Sequence, residues 1–493
     1  MKKKLLAVVA AGAVTAATAV PALALENIFH GMLREKAILS NTDAYNAGDL
    51  ILQKDAKTNF YFEQRARLLY ESKINDDLKG VLQFEIDSRW GDQAYGANSV
   101  SGTTYTGRNS GGGLEADRVN LETKNVYLDF RIPGTPVRTK AGIQGFTDEY
   151  KGIFLGYADT AGLVADGTFG NVAVKAGWLR FWDINEGSQV GIQSSVNTYV
   201  AGAKVTVSPK LNVGLNYYLL TDGTGGAFPA TNGSATLGGP SALLAGATGL
   251  TSYGNLWLHM VGATAEANVG PVNIDGFVVG QFGKFEGATA TYLGAVPKNM
   301  DVLSFAANAR ARTKLGPGTA KAEFLYVSGD GLNNDRYSGF ITGSQYNLAG
   351  SFYVSPDMLL LLPNKYDINT SRAIAYDVNF KSQGIIGGFI GYDANLTDRV
   401  YANANAGFMA AAKLNSNSAR ARAGLANDSK YIGTELNAEV GYKLYDNLTA
   451  SLQGAYLILG DYYKGTNRTT AGVYDGQDPD DPYTARVMLN YTF

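Results

Sequence analysis

Apolar and polar residues alternate with a period of two along most of this chain. Phe60, Phe62, Ala66, Leu68 and Tyr70 share one register, and Tyr61, Glu63, Arg65, Arg67 and Glu71 the other. Leu82, Phe84 and Ile86 interleave with Gln83, Glu85, Asp87 and Arg89. Val126, Leu128 and Phe130 interleave with Asn125, Tyr127, Asp129 and Arg131. Leu303, Phe305, Ala307, Ala309 and Ala311 alternate with Asn308, Arg310, Arg312 and Lys314, and Leu436, Ala438, Val440 and Tyr442 with Glu435, Asn437 and Glu439. Successive side chains of a strand point to opposite faces, so each segment predicts a strand with one apolar and one polar face. The last segment, Tyr483 to Phe493, has the roughly 9–11 residues that cross a bilayer when tilted and ends on an aromatic side chain.

This pattern predicts strands over 28–40, 58–72, 79–90, 121–132, 136–146, 158–165, 168–182, 195–208, 210–220, 253–269, 272–285, 301–315, 318–328, 383–395, 398–413, 431–444, 447–460 and 483–493. Their connections alternate long and short. The short ones carry turn chemistry: Pro133-Gly134, Pro209, Gly270-Pro271, Gly316-Pro317-Gly318, Thr397-Asp398 and Asp446-Asn447, with Asp166-Gly167 as a two-residue hairpin signal. Long loops on one side and tight turns on the other predict an all-β fold: a transmembrane antiparallel up-and-down β-barrel of about 16–18 strands, with extracellular loops and periplasmic turns. In a soluble sandwich the apolar set would face the core and the polar set bulk water. In a barrel of this size the polar set lines a wet lumen and the apolar set meets lipid. Alternation leaves the two open; the loop parity and the chain ends favour the barrel.

Lys2, Lys3 and Lys4, the apolar run Leu5 to Val20 and the small-residue site Ala22-Leu23-Ala24 read as a secretory signal over 1–24, with a membrane anchor as the competing reading. One barrel domain, 25–493, follows. After the signal no run approaches the roughly 18 apolar residues of a membrane helix; the longest aliphatic block is Met358 to Leu362. The chain has no cysteine, which excludes disulfides, thiolate metal sites and covalent haem. A net charge of -2 gives no reason to expect nucleic acid as a partner.

Charged residues on the polar register belong in the lumen, because charge against lipid is costly. They are Arg65, Arg67, Glu85, Asp87, Arg89, Asp129, Arg131, Arg138, Lys140, Arg310, Arg312, Lys314, Glu435 and Glu439, with Glu63, Lys175, Lys321 and Glu323 beside them. Arg310, Arg312 and Lys314 are the densest basic run and predict a mild anion preference. The alternative is that these charges solvate the wall and pair across strands. Loops 147–157 and 329–382 are candidates to fold inward as constrictions. Asp330, Asn333, Asn334 and Asp335 crowd one loop and Asp475, Asp478, Asp480 and Asp481 another, without the spacing of a defined calcium motif, so no metal is expected. Only His30 and His259 could act as imidazole bases, and no nucleophile elbow, zinc helix or phosphate loop accompanies them, so no enzyme and no cofactor are expected. Trp90, Trp178, Trp182 and Trp257 read as interfacial belts.

The segment Lys124 to Phe130 with Lys140 to Phe146 resembles a hairpin of the homotrimeric outer-membrane porins of sulfate-reducing and related proteobacteria. Gly433 to Asn437 through Tyr445 to Thr449 resembles their penultimate hairpin, and also the end of alginate-export barrels; Ile28 to Gly31 is similar to the first strand of sugar-specific porins. The resemblance covers about a quarter of the chain after the signal, and the Gly/Ala/Thr-rich loop 221–252 lies outside it. It implies a homotrimer in the outer membrane of a Gram-negative bacterium, with lipid, the barrel-assembly machinery and small hydrophilic solutes as partners, and Phe493 as the assembly signal. The expected function is passive diffusion of small solutes and ions through a charged lumen. The alternatives are a substrate-specific channel for sugar or an anionic solute or polysaccharide, a sheath for a multihaem cytochrome, or a barrel enzyme.

Overall fold

The computed structural model describes residues 25–42, 45–46, 49–50, 52–91, 121–183, 195–224, 244, 248–290, 292–333, 335–346, 353–368, 373–469 and 472–493. The signal segment, Asn334 and most of the Gly/Ala/Thr-rich loop lie outside these. One sheet of 20 strands closes on itself. Two of its strands, Leu250–Ser252 and Arg336–Tyr337, are short annexes, and the other eighteen form the wall of a barrel. They are β1 Glu26–Ser40, β2 Asn59–Asn75, β3 Leu78–Arg89, β4 Glu122–Arg131, β5 Arg138–Phe146 and β6 Ala158–Phe169. β7 Val172–Asp183, β8 Ser195–Ser208, β9 Leu211–Asp222, β10 Asn255–Val269, β11 Val272–Ala290 and β12 Gly294–Leu315 follow. β13 Gly318–Val327, β14 Ile385–Asn395, β15 Val400–Ala411, β16 Tyr431–Tyr445, β17 Leu448–Leu459 and β18 Tyr483–Thr492 complete it.

Each wall strand pairs antiparallel with its sequence neighbours, and β18 closes the ring on β1 with Leu33 opposite Tyr491 and Lys36 opposite Met488. The closing bonds run between Gly31 and Phe493, N–H to carbonyl in both directions, at 2.9 and 3.1 Å. Gly31 suits this seam because any Cβ there would collide with the Phe493 ring. Closure leaves no strand edge unpaired, which the bilayer core demands.

The alternation and the loop parity survive in the wall, with two differences. Asp166 and Gly167 do not turn the chain. They sit inside β6, with Asp166 opposite Lys175, and the reversal comes at Gly170-Asn171. The turn needs a left-handed residue, and Gly170 supplies it at φ +63°. Trp90, Trp178 and Trp257 are on the outer surface, but Trp182 leaves the belt: its Nε1–H donates to the Tyr346 carbonyl inside the barrel at 3.0 Å.

The interior is not uniformly polar. In the extracellular half of β7 to β15 the inward register is apolar, with Leu179, Leu220, Leu256, Leu258, Met260, Phe285, Val302 and Leu325 buried. Against them pack two loops from the extracellular side, 147–157 after β5 and 328–384 after β13. Tyr150, Phe154 and Leu155 of the first and Phe340, Ile341, Leu360, Leu361 and Leu362 of the second are buried in one cluster. The aliphatic block Met358 to Leu362 is therefore a loop core, held by burial of side chains worth about 1.5–3 kcal/mol each. The loops touch: Gly343 N–H donates to the Phe154 carbonyl at 2.7 Å.

Candidate functional site

The lumen takes its charge from strands and its shape from these two loops. On β2 and β3, cross-strand register sets Arg65 opposite Asp87 and Arg67 opposite Glu85. Arg65 grips Asp87 with two bonds of 2.7 and 2.6 Å and lies 3.3 Å from Glu85, which also pairs with Arg67. Such a planar two-point pairing is the strongest a guanidinium makes. Next along the wall Arg138 meets Asp129 at 2.5 Å, Lys140 lies 5.5 Å from the Tyr127 ring centre, and Arg89 lies 4.1 Å over Tyr61. Arg131 sits at the periplasmic turn, exposed, 2.7 Å from Asp77. Register thus gathers the candidates of β2 to β5 into one sector and pairs most of them sideways rather than across the pore.

A second sector surrounds Asp275 on β11. Arg310 and Arg312 of β12 reach it at 3.0 and 3.3 Å, and Lys151 of loop 147–157 at 2.6 Å. Three cations share one carboxylate, and Lys314, further along β12, makes no ion pair among the described residues. Lys175 pairs with Glu149. Glu323 accepts from Tyr353, Ser355 and Asn308. Glu439 is inward on β16 and accepts from Tyr401 at 2.9 Å. Glu435 also points inward but meets no water. It is fully buried and takes the main-chain N–H groups of Leu359, Leu360 and Leu361 at 2.7, 3.0 and 2.7 Å. It anchors the long loop.

The most enclosed ion cluster was not singled out by residue type. Asp367, from the long loop, spans the lumen to Lys36 on β1 at 3.0 Å and Arg486 on β18 at 2.8 Å, while Lys36 also meets Glu63 at 3.2 Å. Arg34 stacks over Tyr366 at 4.8 Å. Arg34, Lys36 and Arg486 lie on the polar registers of their strands and were readable there. Asp367 carries no periodic signal.

Loop 147–157 is organised by Asp148. Its carboxylate accepts the N–H groups of Tyr150, Gly152, Phe154 and Leu155 at 2.7–3.0 Å. Burial pushes this carboxyl up to about 6, against those four bonds, which hold it down. Burial raises Asp377 of the long loop in the same way. A carboxyl whose docked value exceeds its free value binds protons more tightly when docked. The docked loops therefore gain stability as pH falls through about 6 towards the ordinary carboxylate range, and lose it as pH rises again. Current through the barrel should be quieter and smaller at about pH 5 than at about pH 7, and Asp148→Asn should flatten that dependence. Single-channel recording across the range checks this.

The remaining candidates hold loops or strands. Asp330 accepts from Leu332 N–H and Ser338, Asp475 from Asn467 and Gln477, Asp478 from Gly465 N–H and Asp481 from Leu459 N–H. Among the described residues no group of three or more acidic or imidazole side chains could hold a metal. His259 is outward, bonded to Tyr217 at 2.8 Å and stacked on Phe282; His30 lies near the start of β1.

No protein-family model matches the sequence, and no curated protein matches it either. Solved structures do. OccAB1 of Acinetobacter baumannii superposes with a TM-score of 0.54 at 12% identity, over 95% of this chain and 96% of that one. OpdL of Pseudomonas aeruginosa gives 0.51 at 12%, over 95% and 99%. The outer membrane protein OpdK of Pseudomonas aeruginosa gives 0.50 at 11%, over 95% and 98%. The chain folds as an outer-membrane barrel. The likeness extends over nearly the whole length of both chains in each pair. It supports outer-membrane porin barrels in general and does not single out the homotrimeric porins of sulfate-reducing bacteria.

Proposed function

We propose that the protein is an outer-membrane porin through which small hydrophilic solutes and ions diffuse without energy input. The observation that carries this is the interior register of β1 to β5 and β16 to β18, which places charged and amide side chains such as Arg65, Asp87, Glu439 and Gln453 inside a closed barrel. An enzyme would need a base placed beside a nucleophile, and both histidines are away from the charged sectors. Loops that fill part of the interior favour a narrow, substrate-selective channel over a wide general pore.

Residues 1–24 act as the export signal and Phe493, at the β1 seam, as the assembly signal in this reading. The homotrimer and the kinship with sulfate-reducer porins rest on the quoted hairpins.

Purified barrel in a planar bilayer under a salt gradient should give stable ohmic steps, grouped in threes. Silence from a correctly folded barrel would sink the channel reading, and steps that never group, with cross-linking that yields only monomer, would sink the trimer.

A further inference from the structure

The interior face of β14 to β17 carries a cavity of about 270 Å³ roofed by the long loop. Cross-strand register puts Asn403, Glu439 and Gln453 in one row along its wall, with Asp393 opposite Asn403. Tyr401 lies one row towards the periplasmic turns, and its ring occupies the space that Gly441 leaves free of a side chain. Asp357 and Lys365 of the loop form the roof.

The charges of this cavity are already used. Asp357 meets Lys321 at 2.7 Å and Lys365 at 3.8 Å, Asp393 meets Lys321 at 3.2 Å, and Glu439 accepts from Tyr401 and Asn403. Gln453 is different. It is 2% exposed, it lines the cavity, and its Oε1 has no hydrogen-bond partner. Buried polar groups are ordinarily paired, so the unpartnered amide of Gln453 in the cavity wall marks a place built to receive a hydrogen bond.

We propose that this cavity is a binding subsite for a neutral polyhydroxylated solute of about monosaccharide size, on the periplasmic side of the loop constriction. The proposal rests on the porin reading and names its solute class. Hydroxyl groups both donate and accept, so they satisfy an amide oxygen and carboxylate lone pairs together. Hydrogen bonds from hydroxyls to an ionised carboxylate such as Glu439 are stronger than neutral ones. An anion would meet three carboxylates, and a cation would have to displace lysines already in place. The volume lies just under the roughly 300–1,000 Å³ of drug-sized ligand pockets, which suits a single sugar ring.

The test is solute block of single-channel current, with D-glucose added on the periplasmic side. Saturable interruptions by glucose, weakened about tenfold or more in Gln453→Leu, are expected, since one lost hydrogen bond to a bound solute is worth about that factor. Glu439→Gln should weaken block less, because it keeps the acceptor and loses only the charge. Each variant must show the parent's heat-modifiable gel migration and β-sheet circular dichroism, which shows that the barrel is folded. Normal conductance with no glucose block overturns the subsite and leaves the channel standing, as does equal block in Gln453→Leu. Block by arginine or gluconate in preference to glucose overturns the solute class. If the folded barrel conducts nothing, the channel reading falls, and equilibrium dialysis of labelled glucose against the detergent-solubilised protein decides the subsite alone: no retention overturns it.

Discussion

Glu435→Ala should raise single-channel conductance several-fold and make the current noisy. Glu435 is the one carboxylate that receives three consecutive main-chain N–H groups of the long loop, and its Oε1 also accepts from Asn437 at 2.8 Å. Hydrogen bonds to a charged group contribute roughly 1.5–3 kcal/mol each. Alanine removes all of them and leaves three N–H donors inside a dry cluster, so the stretch around Leu360 to Leu362 loses its polar anchor to β16 and keeps its apolar packing there. Undocking then becomes frequent on the recording timescale. Glu435→Gln keeps two acceptor lone pairs and should fall between. Limited proteolysis gives an independent reading, because Leu359 to Leu362 are buried in the parent and should become cleavable in the alanine variant. Unchanged conductance together with unchanged protease resistance would show that packing and the loop's other polar ties hold it without Glu435.

Asp367→Ala should shift ion selectivity strongly towards anions. Asp367 is the shared acceptor of Lys36 and Arg486, whose side chains are only 1% and 3% exposed. Lys36 keeps Glu63, but Arg486 has no second carboxylate among its ion pairs. Breaking a buried pair from one side costs about 3–5 kcal/mol in a dry interior; water in the lumen reduces this, and a passing anion can supply the missing charge. The variant should therefore move the reversal potential in a salt gradient towards the anion value, and it should also loosen the loop by cutting its tie to β1 and β18. Asp367→Asn, which keeps the shape and one acceptor, should do the first and much less of the second. A reversal potential equal to the parent's would mean that ions do not pass this cluster.

The charged wall was legible because register is a local property. Arg65 and Asp87, or Arg67 and Glu85, end up opposite one another once two strands and one turn are placed, and the polar register already put all four inward. The mixed character of the interior was also written in the chain, in places where both registers are apolar, as in Leu256-Trp257-Leu258-His259-Met260-Val261. A strand exposed to lipid on one side and water on the other has no use for that second apolar set, so it signals packing against protein. The displaced hairpin at Gly170 shows the limit of dipeptide signals: Asp166-Gly167 has the composition of a tight turn, but Gly170-Asn171 has it too, and continuous pairing with β5 and β7 selects the later one.

By itself the sequence bounded the wall at about 16–18 strands and determined their antiparallel direction, the alternation of long and short connections and the inward face of the charged strands. A two-residue period and short turns specify these within hairpins of a few tens of residues. Only the tertiary structure decided that loops 147–157 and 328–384 enter the lumen, that Glu435 binds backbone instead of water, and that Asp367 reaches Lys36, 331 positions away in the chain. Those contacts depend on how a closed barrel brings distant strands around a common interior, and no repeat along the chain encodes a distance across it.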